Sequence, residues 1–465
     1  MEKTNCNIEG KRRIYCLTGL PPEVVAVAFA KCSRSPEAFD VIAAELNEDK
    51  TRKFHEKWIV GYGHSSVAEH AVLSIAVENI SILATKALED NRLASYTEKS
   101  TRYQVFDKTR YYKPLKLMQS KHGKLYEKTA DFILDKYERL FPRMMEHVRK
   151  RMLREDCVSE QLHEARVRNQ ALDSLRYLLP VSVLTNLGMT VNARELENAV
   201  MKLLTHPLDE MKEIGEEIKC TALKVTPTLL KYTDASEYLA QTNLAMESLA
   251  DEMLLSKTQP QAKVELVQWD TDAVDRIAAC LLYRYSQKPY KQVVAAVRDM
   301  RDADKEKIID EALSRMGKHD RPLRELEHAS YTFDILIDYG AFRDIQRHRM
   351  ATQSNQDFTV ENGYSVPPLI IEAGMEKEYR ECMLLAECAY REISRDFPKE
   401  AQYIIPLAYR RRVLFTMNLR EIYHFVKLRS GRTSHYSYKK VAQEMYRLVK
   451  EKHPMLAKWM VVDLS

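Results

Sequence analysis

Four short motifs of this chain recur in the same order about half a chain later, and that repeat constrains the fold more than any other feature. Glu69-His70-Ala71, ahead of an apolar β-branched stretch, returns as Glu327-His328-Ala329. Asp90-Asn91-Arg92, at the end of a segment with helical spacing, is a partial echo of Arg347-His348-Arg349. Tyr177-Leu178-Leu179-Pro180 returns as Tyr403-Ile404-Ile405-Pro406, and Asn192-Ala193-Arg194-Glu195 as Asn418-Leu419-Arg420-Glu421. The offsets agree: 258 positions from His70 to His328, 257 from Arg92 to Arg349, and 226 for both Pro180 to Pro406 and Asn192 to Asn418. The first half therefore carries 31 extra residues between its second and third motifs. Order and spacing kept together imply two tandem copies of one domain.

A chain of 465 residues with 45% hydrophobic content has room for two cores. We divide it into a first domain over 1–232, a linker over 233–262 and a second domain over 263–465. The net charge of only +5 argues against a nucleic-acid surface, which needs a concentrated basic face. No apolar run is long enough to span a membrane, and the N-terminus lacks a secretory apolar core, so a cytoplasmic protein is expected. The eight cysteines form no C-x-x-C pair and no zinc spacing, which leaves reduced thiols and no metal. Sparse Gly and Pro with abundant Leu, Glu, Lys and Arg points to a helix-rich fold.

The first half reads as helices over Val24 to Lys31, Pro36 to Leu46 and Lys53 to Val60, the last ending at Gly61 and Gly63. A buried strand follows from Ala71, and a helix capped by Asn79 leads into a polar loop over residues 90–103. One long helical stretch is expected from Lys121 to Leu172, then a helix through Leu203. A connecting helix is expected from Leu239 to Leu255. The second half offers a strand at Val264, helices over Ala273 to Tyr285, Tyr290 to Arg298 and Lys305 to Met316, and a strand in which Tyr331, Phe333, Ile335 and Ile337 alternate. A helix from Tyr339 then hands over to Arg347-His348-Arg349.

Arginine carries a permanent charge and a rigid donor fork that matches phosphate or carboxylate. The flavin-dependent thymidylate synthase family has an Arg-His-Arg, then seven intervening residues, then Ser followed closely by Arg-Tyr, after a Glu-His strand and before an Asn-x-Arg helix with a downstream Leu-Arg. This chain resembles that family over most of both halves. The resemblance implies an α+β fold, two tandem copies of a helix-wrapped antiparallel-sheet domain. It also implies methylation of dUMP to dTMP, with FAD as cofactor and methylenetetrahydrofolate and NADPH as co-substrates. The family is a homotetramer, so a two-copy chain should form a homodimer.

Neither copy keeps the whole motif, and the losses are complementary. The first copy has Ser100, Arg102 and Tyr103, with Glu98 and the phosphate-type Arg176, but Asp90-Asn91-Arg92 replaces Arg-His-Arg and Leu203 stands where the downstream arginine belongs. The second has Arg347-His348-Arg349 and Arg429, but Asp357, Thr359 and Gln402 replace the serine and the two phosphate arginines. The resemblance thus implies one composite site. Glu98, Ser100, Arg102, Arg176, Arg347 and Arg429 would bind the nucleotide, with Ser100, Arg347 and Arg429 closest to the chemistry. His348, Arg349, Asn418 and His328 would face the flavin. The reciprocal site, with Asp90 and Asp357 beside a phosphate, should be dead, since like charges at close range repel. Asp344 stands where many relatives have a polar uncharged group. A non-catalytic nucleotide- or flavin-binding protein, or an enzyme of another pyrimidine nucleotide, is the alternative.

Overall fold

Alternating apolar residues give the second half its central strand, and the residues around that strand follow from it. The computed structural model describes residues 12–32, 35–46, 65–154, 157–254 and 262–465. In chain order the main elements are α1 (Pro22–Cys32), α2 (Phe39–Glu45), β1 (Val72–Ser81), α3 (Ile82–Glu89), β2 (Ala94–Glu98), α4 (Gly123–Arg151), α5 (Glu160–Leu175), β3 (Leu184–Asn192), α6 (Ala193–Thr205), α7 (Asp209–Leu223) and α8 (Glu237–Met253). There follow β4 (Val264–Trp269), α9 (Ala273–Tyr283), α10 (Tyr290–Arg298), α11 (Asp302–Leu313), β5 (Ser330–Asp338), α12 (Tyr339–Ile345), β6 (Thr352–Asn355), α13 (Glu376–Ile393), β7 (Arg410–Asn418), α14 (Leu419–Arg429) and α15 (Tyr436–Lys452).

By packing, the chain divides into two compact units: residues 1–77, 93–97 and 187–248 form one, and 78–92, 98–186 and 249–465 the other. The larger unit holds a four-stranded sheet of order β4-β5-β7-β6, every pair antiparallel. Tyr331, Phe333, Ile335 and Ile337 of β5 are buried, as are Val413, Phe415 and Met417 opposite them on β7. One face of the sheet is thus closed by its own period-two pattern. β1, β3 and β2 form a second, three-stranded sheet in that order.

The repeat is present bond for bond. In the first copy the N–H groups of Ile82 and Leu83 donate to the carbonyls of Val183 and Val181, each at 3.0 Å. In the second, those of Tyr339 and Gly340 donate to Tyr409 and Leu407, each at 2.9 Å. Ser81 caps α3 by accepting from Ala84 N at 2.9 Å, and Asp338 caps α12 by accepting from Ala341 N at 2.8 Å. Asn192 and Asn418 cap α6 and α14 through Glu195 N and Glu421 N, at 2.9 and 2.8 Å. Arg194 pairs with Glu69 as Arg420 pairs with Glu327, so each Glu-His motif is tied to its own Asn-x-Arg helix.

Within the larger unit, equivalent positions also touch each other. Pro180 bridges to Pro406, Val181 N donates to Ile405 O at 3.0 Å, and Leu407 N donates to Leu179 O at 2.9 Å. Gln346 donates to Glu89, its counterpart in the first copy, and Arg349 donates to the carbonyl of Arg92, its own counterpart. Contacts between equivalent residues arise where a two-fold relation holds, so these parts of the two copies meet about a pseudo-two-fold axis.

Several expectations need correction. The helix after β1 begins later than Asn79: Ser81 is its cap, and Asn79 sits at φ 61°, a left-handed conformation that asparagine tolerates. Residues 94–98 of the expected loop are the strand β2, since β3 supplies a pairing partner that no local pattern announces. The long helix breaks in two, and Ser159 opens α5 by accepting from Leu162 N at 3.3 Å. β1 is not buried throughout: Val72 is 51% exposed, because β1 lies at a sheet edge. The expected helix over Lys53 to Val60 and residues 255–261 of the linker lie outside the described residues.

Candidate functional site

Three elements of the larger unit bring arginines of both copies together. The turn after β2 carries Ser100 and Arg102, the end of α5 carries Asp173 with Arg176 in the short turn just after it, and α14 ends at Arg429 just before α15. Arg102 is held by Asp173 in a fork, Nε to Oδ1 at 2.8 Å and Nη2 to Oδ2 at 3.2 Å, and its Nη1 donates to Tyr438 Oη at 3.3 Å. The ring of Tyr438 also lies under the Arg429 guanidinium, 5.4 Å from the ring centre. The Ser100 hydroxyl accepts from Arg102 N at 3.2 Å, so it shapes this turn.

Arg176 is the most enclosed of these cations, its side chain 3% exposed. Asp173 Oδ1 stands 3.4 Å from its Nε, and Asp344 Oδ2 stands 3.7 Å from its Nη1. Neither contact is a hydrogen bond: Nε, Nη2 and Asp344 Oδ2 are all buried without a partner. Burial opposes the charge of Arg176, but the carboxylates of Asp173, Asp344 and Asp338 and the Tyr177 phenol outweigh it and keep the group cationic. Buried donors left open beside a cluster of arginines are what an anionic or polar ligand would satisfy.

Behind this cluster runs a network that the sequence did not announce. Tyr177 Oη donates to Asp338 Oδ1 at 2.7 Å, Ser437 donates to the other oxygen, and His435 stacks on the Tyr177 ring with centroids 5.6 Å apart. Burial, then the charges of Arg176 and Arg102, hold His435 well below the ordinary histidine range, so it is neutral.

Glu98 does not face open space. Its side chain is 1% exposed and pairs with Arg343 Nη2 at 2.5 Å, while its second oxygen finds no donor. Glu89, which accepts from Gln346, is pushed up to about 7 by burial first and by the charge of Glu98 second, against the pull of Arg347 and Arg343. A carboxyl raised in the folded state stabilises it fully below about pH 4.5 and loses that contribution as pH rises through about 7. Glu89→Gln should therefore raise the unfolding free energy by about 1–3 kcal/mol at pH 8. At pH 5 the change should stay within about 0.5 kcal/mol. Urea denaturation at the two pH values checks this, and equal effects at both would refute it.

At the pseudo-symmetric place the charges differ. Asp90 pairs with Lys86, and Asp357 pairs with Lys399 at 2.9 Å. Arg411, buried 4.7 Å from the centre of the Phe342 ring, donates to the carbonyl of Gln356. Both aspartates thus have lysine partners of their own.

The family model described as thymidylate synthase complementing protein matches the chain twice, over residues 17–228 and 265–455. The chain belongs to that family. A UPF0159 protein of Chlamydia muridarum is 33% identical over 476 residues, spanning 95% of this chain and 90% of its own length. A flavin-dependent thymidylate synthase of Clostridium tetani is 28% identical over 228 residues, spanning 46% of this chain and 83% of its own. Among solved structures, the flavin-dependent thymidylate synthase ThyX from Helicobacter pylori, complexed with FAD and dUMP, is 17% identical with a TM-score of 0.33, covering 43% of this chain and all of its own. Two matches of one family model are the tandem α+β domains that the repeat implies.

Of the residues singled out from the sequence of this Thy1-family chain, Ser100, Arg102, Arg176 and Arg429 share one neighbourhood through Tyr438, Asp173 and Asp344. Arg347 and Arg349 are exposed, and Arg347 is near enough for its charge to act on Glu89 and Arg429. His348 and Asn418 are engaged by the protein itself. His328 lines a separate open hollow of about 640 Å³ with Arg284, Arg324, Glu325 and Glu327. Sequence reasoning missed Asp173, Glu421, Tyr438 and the Tyr177–Asp338 pair. Asp173, three residues before Arg176 on a helix, and Glu421, three after the cap Asn418, carried a spacing signal; the others are joined only by the fold.

Proposed function

We propose that the chain methylates a pyrimidine nucleoside monophosphate, dUMP in the first instance, at one composite site per chain. The observation that carries this reading is the convergence of Arg102 from the first copy and Arg429 from the second on Tyr438, with open donors on Arg176 beside them. Arg102 and Arg176 would take the phosphate, with the Ser100 hydroxyl and the turn's backbone assisting. Arg429 and Arg347 would hold the pyrimidine and stabilise negative charge that develops on it. Glu98 would act from behind, by fixing Arg343.

FAD is the cofactor of this reading, and the donor set suits it. The exposed guanidinium of Arg349 matches a pyrophosphate, and it is already steered by the carbonyl of Arg92. Reduced flavin supplies the hydride that no side chain can give. Methylenetetrahydrofolate and NADPH would serve as co-substrates, and a homodimer of this 54.2 kDa chain would restore four domains. Light scattering tests the last point.

The experiment is purification with an absorbance spectrum, followed by tritium release from 5-labelled dUMP with methylenetetrahydrofolate and NADPH. A yellow protein that releases tritium is expected. Arg102→Ala should lower nucleotide affinity by about 100-fold, since a charge-assisted fork to phosphate is lost. Asp357→Ala should leave it unchanged, because Asp357 sits with Lys399 at the other place. A flavoprotein that binds dUMP without tritium release would instead be a binding protein. One that binds another pyrimidine nucleotide more tightly would follow from Asp344, a carboxylate whose open oxygen asks for a donor from the ligand.

A further inference from the structure

The histidine of Arg347-His348-Arg349 has no nitrogen left for a ligand. Its ring is 3% exposed, with Nδ1 2.7 Å from Glu421 Oε1. Its Nε2 faces Arg429 Nε at 3.0 Å. An arginine Nε always carries a hydrogen, so Nε2 must present a lone pair, and the single ring proton must sit on Nδ1 towards Glu421. Glu421 is itself fixed, because its backbone N–H is taken by the cap Asn418 at 2.8 Å. Arg429 is further anchored by donating from Nη2 to the carbonyl of Asp344 and by the Tyr438 ring beneath it.

We propose that His348 is a positioning residue for Arg429, a neutral acceptor locked in its Nδ1–H tautomer by Glu421 so that the guanidinium plane is fixed before any ligand arrives. What Arg429 does for the ligand rests on the reading above; the relay itself does not. The first copy supports it by its losses. Positions equivalent to His348 and Arg429 are Asn91 and Leu203, while Glu195, equivalent to Glu421, remains. The copy without the arginine is also without the histidine, as a dedicated pair would be. Asn91 there donates to the carbonyl of Leu88, within its own helix end.

The groups that face His348 are Glu421, His424 and Arg429 from α14, the Phe425 ring at 4.6 Å, and the neutral Gln353 from β6, which donates to its carbonyl. Burial first, then the charges of Arg429 and His424, hold it below the ordinary histidine value, against the hydrogen bond that its Nδ1–H donates to Glu421. Protonation would set an Nε2–H against the Arg429 Nε–H and release the arginine. That release belongs in acid, below the ordinary histidine range.

The test is ring-nitrogen NMR of the full, ligand-free chain labelled with ¹⁵N histidine. At pH 7 the His348 signals should show a protonated Nδ1 and a bare Nε2; the opposite tautomer would overturn the proposal. The Arg429 Nε–H signal should be protected from exchange in the native chain and in His348→Gln, whose amide can accept from Arg429 and donate to Glu421, and exposed in His348→Ala. Affinity for dUMP should fall by about 10- to 100-fold in His348→Ala and largely return in His348→Gln. In acid the native chain should lose affinity beyond what phosphate protonation takes from His348→Gln. Equal affinity in native and His348→Ala chains would refute the positioning role. If the native chain binds no dUMP at all, the proposed function fails, while the tautomer and the Arg429 signal still decide the relay.

Discussion

Replacing Arg176 by alanine should abolish nucleotide binding and cost the fold about 3–5 kcal/mol, the loss seen when one partner of a buried ion pair is removed. The side chain is 3% exposed and stands between two carboxylates, 3.4 Å from Asp173 and 3.7 Å from Asp344. Asp173 keeps Arg102 as a partner, but the buried Asp344 oxygen keeps none. The double variant Arg176→Met with Asp344→Asn removes both charges at once, so it should recover most of the stability and none of the binding. Urea denaturation and calorimetry with dUMP separate the two effects. An Arg176→Ala chain within 1 kcal/mol of native stability would show that the carboxylates do not depend on this cation.

The second large effect belongs to Asp338, which is 2% exposed and serves three donors. It accepts from Tyr177 Oη at 2.7 Å, from Ala341 N at 2.8 Å as the cap of α12, and from Ser437 Oγ. Asp338→Ala removes a helix cap and takes the short-range acceptor from two hydroxyl groups, leaving Tyr177 Oη only the longer contact to His435 Nε2 at 3.4 Å, for about 3–5 kcal/mol together. Its counterpart in the repeat offers a control. Ser81 caps α3 in the same way, and Ser81→Ala should cost only about 1 kcal/mol. Because Ser437 opens the helix that presents Tyr438, Asp338→Ala should also loosen Arg102 and Arg429. Thermal denaturation of both variants checks the ratio; equal losses would mean that Tyr177 and Ser437 draw little from Asp338.

The arginines that the structure brings together could be picked out from the chain, but not the partners that hold them. Arg102, Arg176 and Arg429 are recognisable because guanidinium groups at fixed places in a repeated motif are hard to explain otherwise. His348 looks like a ligand residue in sequence, yet it spends both ring nitrogens on Glu421 and Arg429. Asn418 likewise looks like a binding residue and acts as the cap of α14. For His348 the motif locates the residue and partners distant in sequence assign its work; for Asn418 the partner is Glu421, only three residues on.

The fold divides in the same way. Alternation over Tyr331 to Ile337 and helical spacing over Tyr290 to Arg298 are local patterns, and β5 and α10 follow them. β2 carries no such pattern, and it becomes a strand because β3 pairs with it.

By itself the sequence determined the two copies, their order and the partition of their arginines, because a repeat is a property of spacing and charge. Only the tertiary structure decided that equivalent residues such as Pro180 and Pro406 meet, and that Arg102 of one copy reaches Tyr438 of the other. The physical reason is that a periodic pattern specifies which face a residue shares with its near neighbours. It is silent on which distant carboxylate will lie 3 Å from a given arginine, since that depends on how two copies close about their axis.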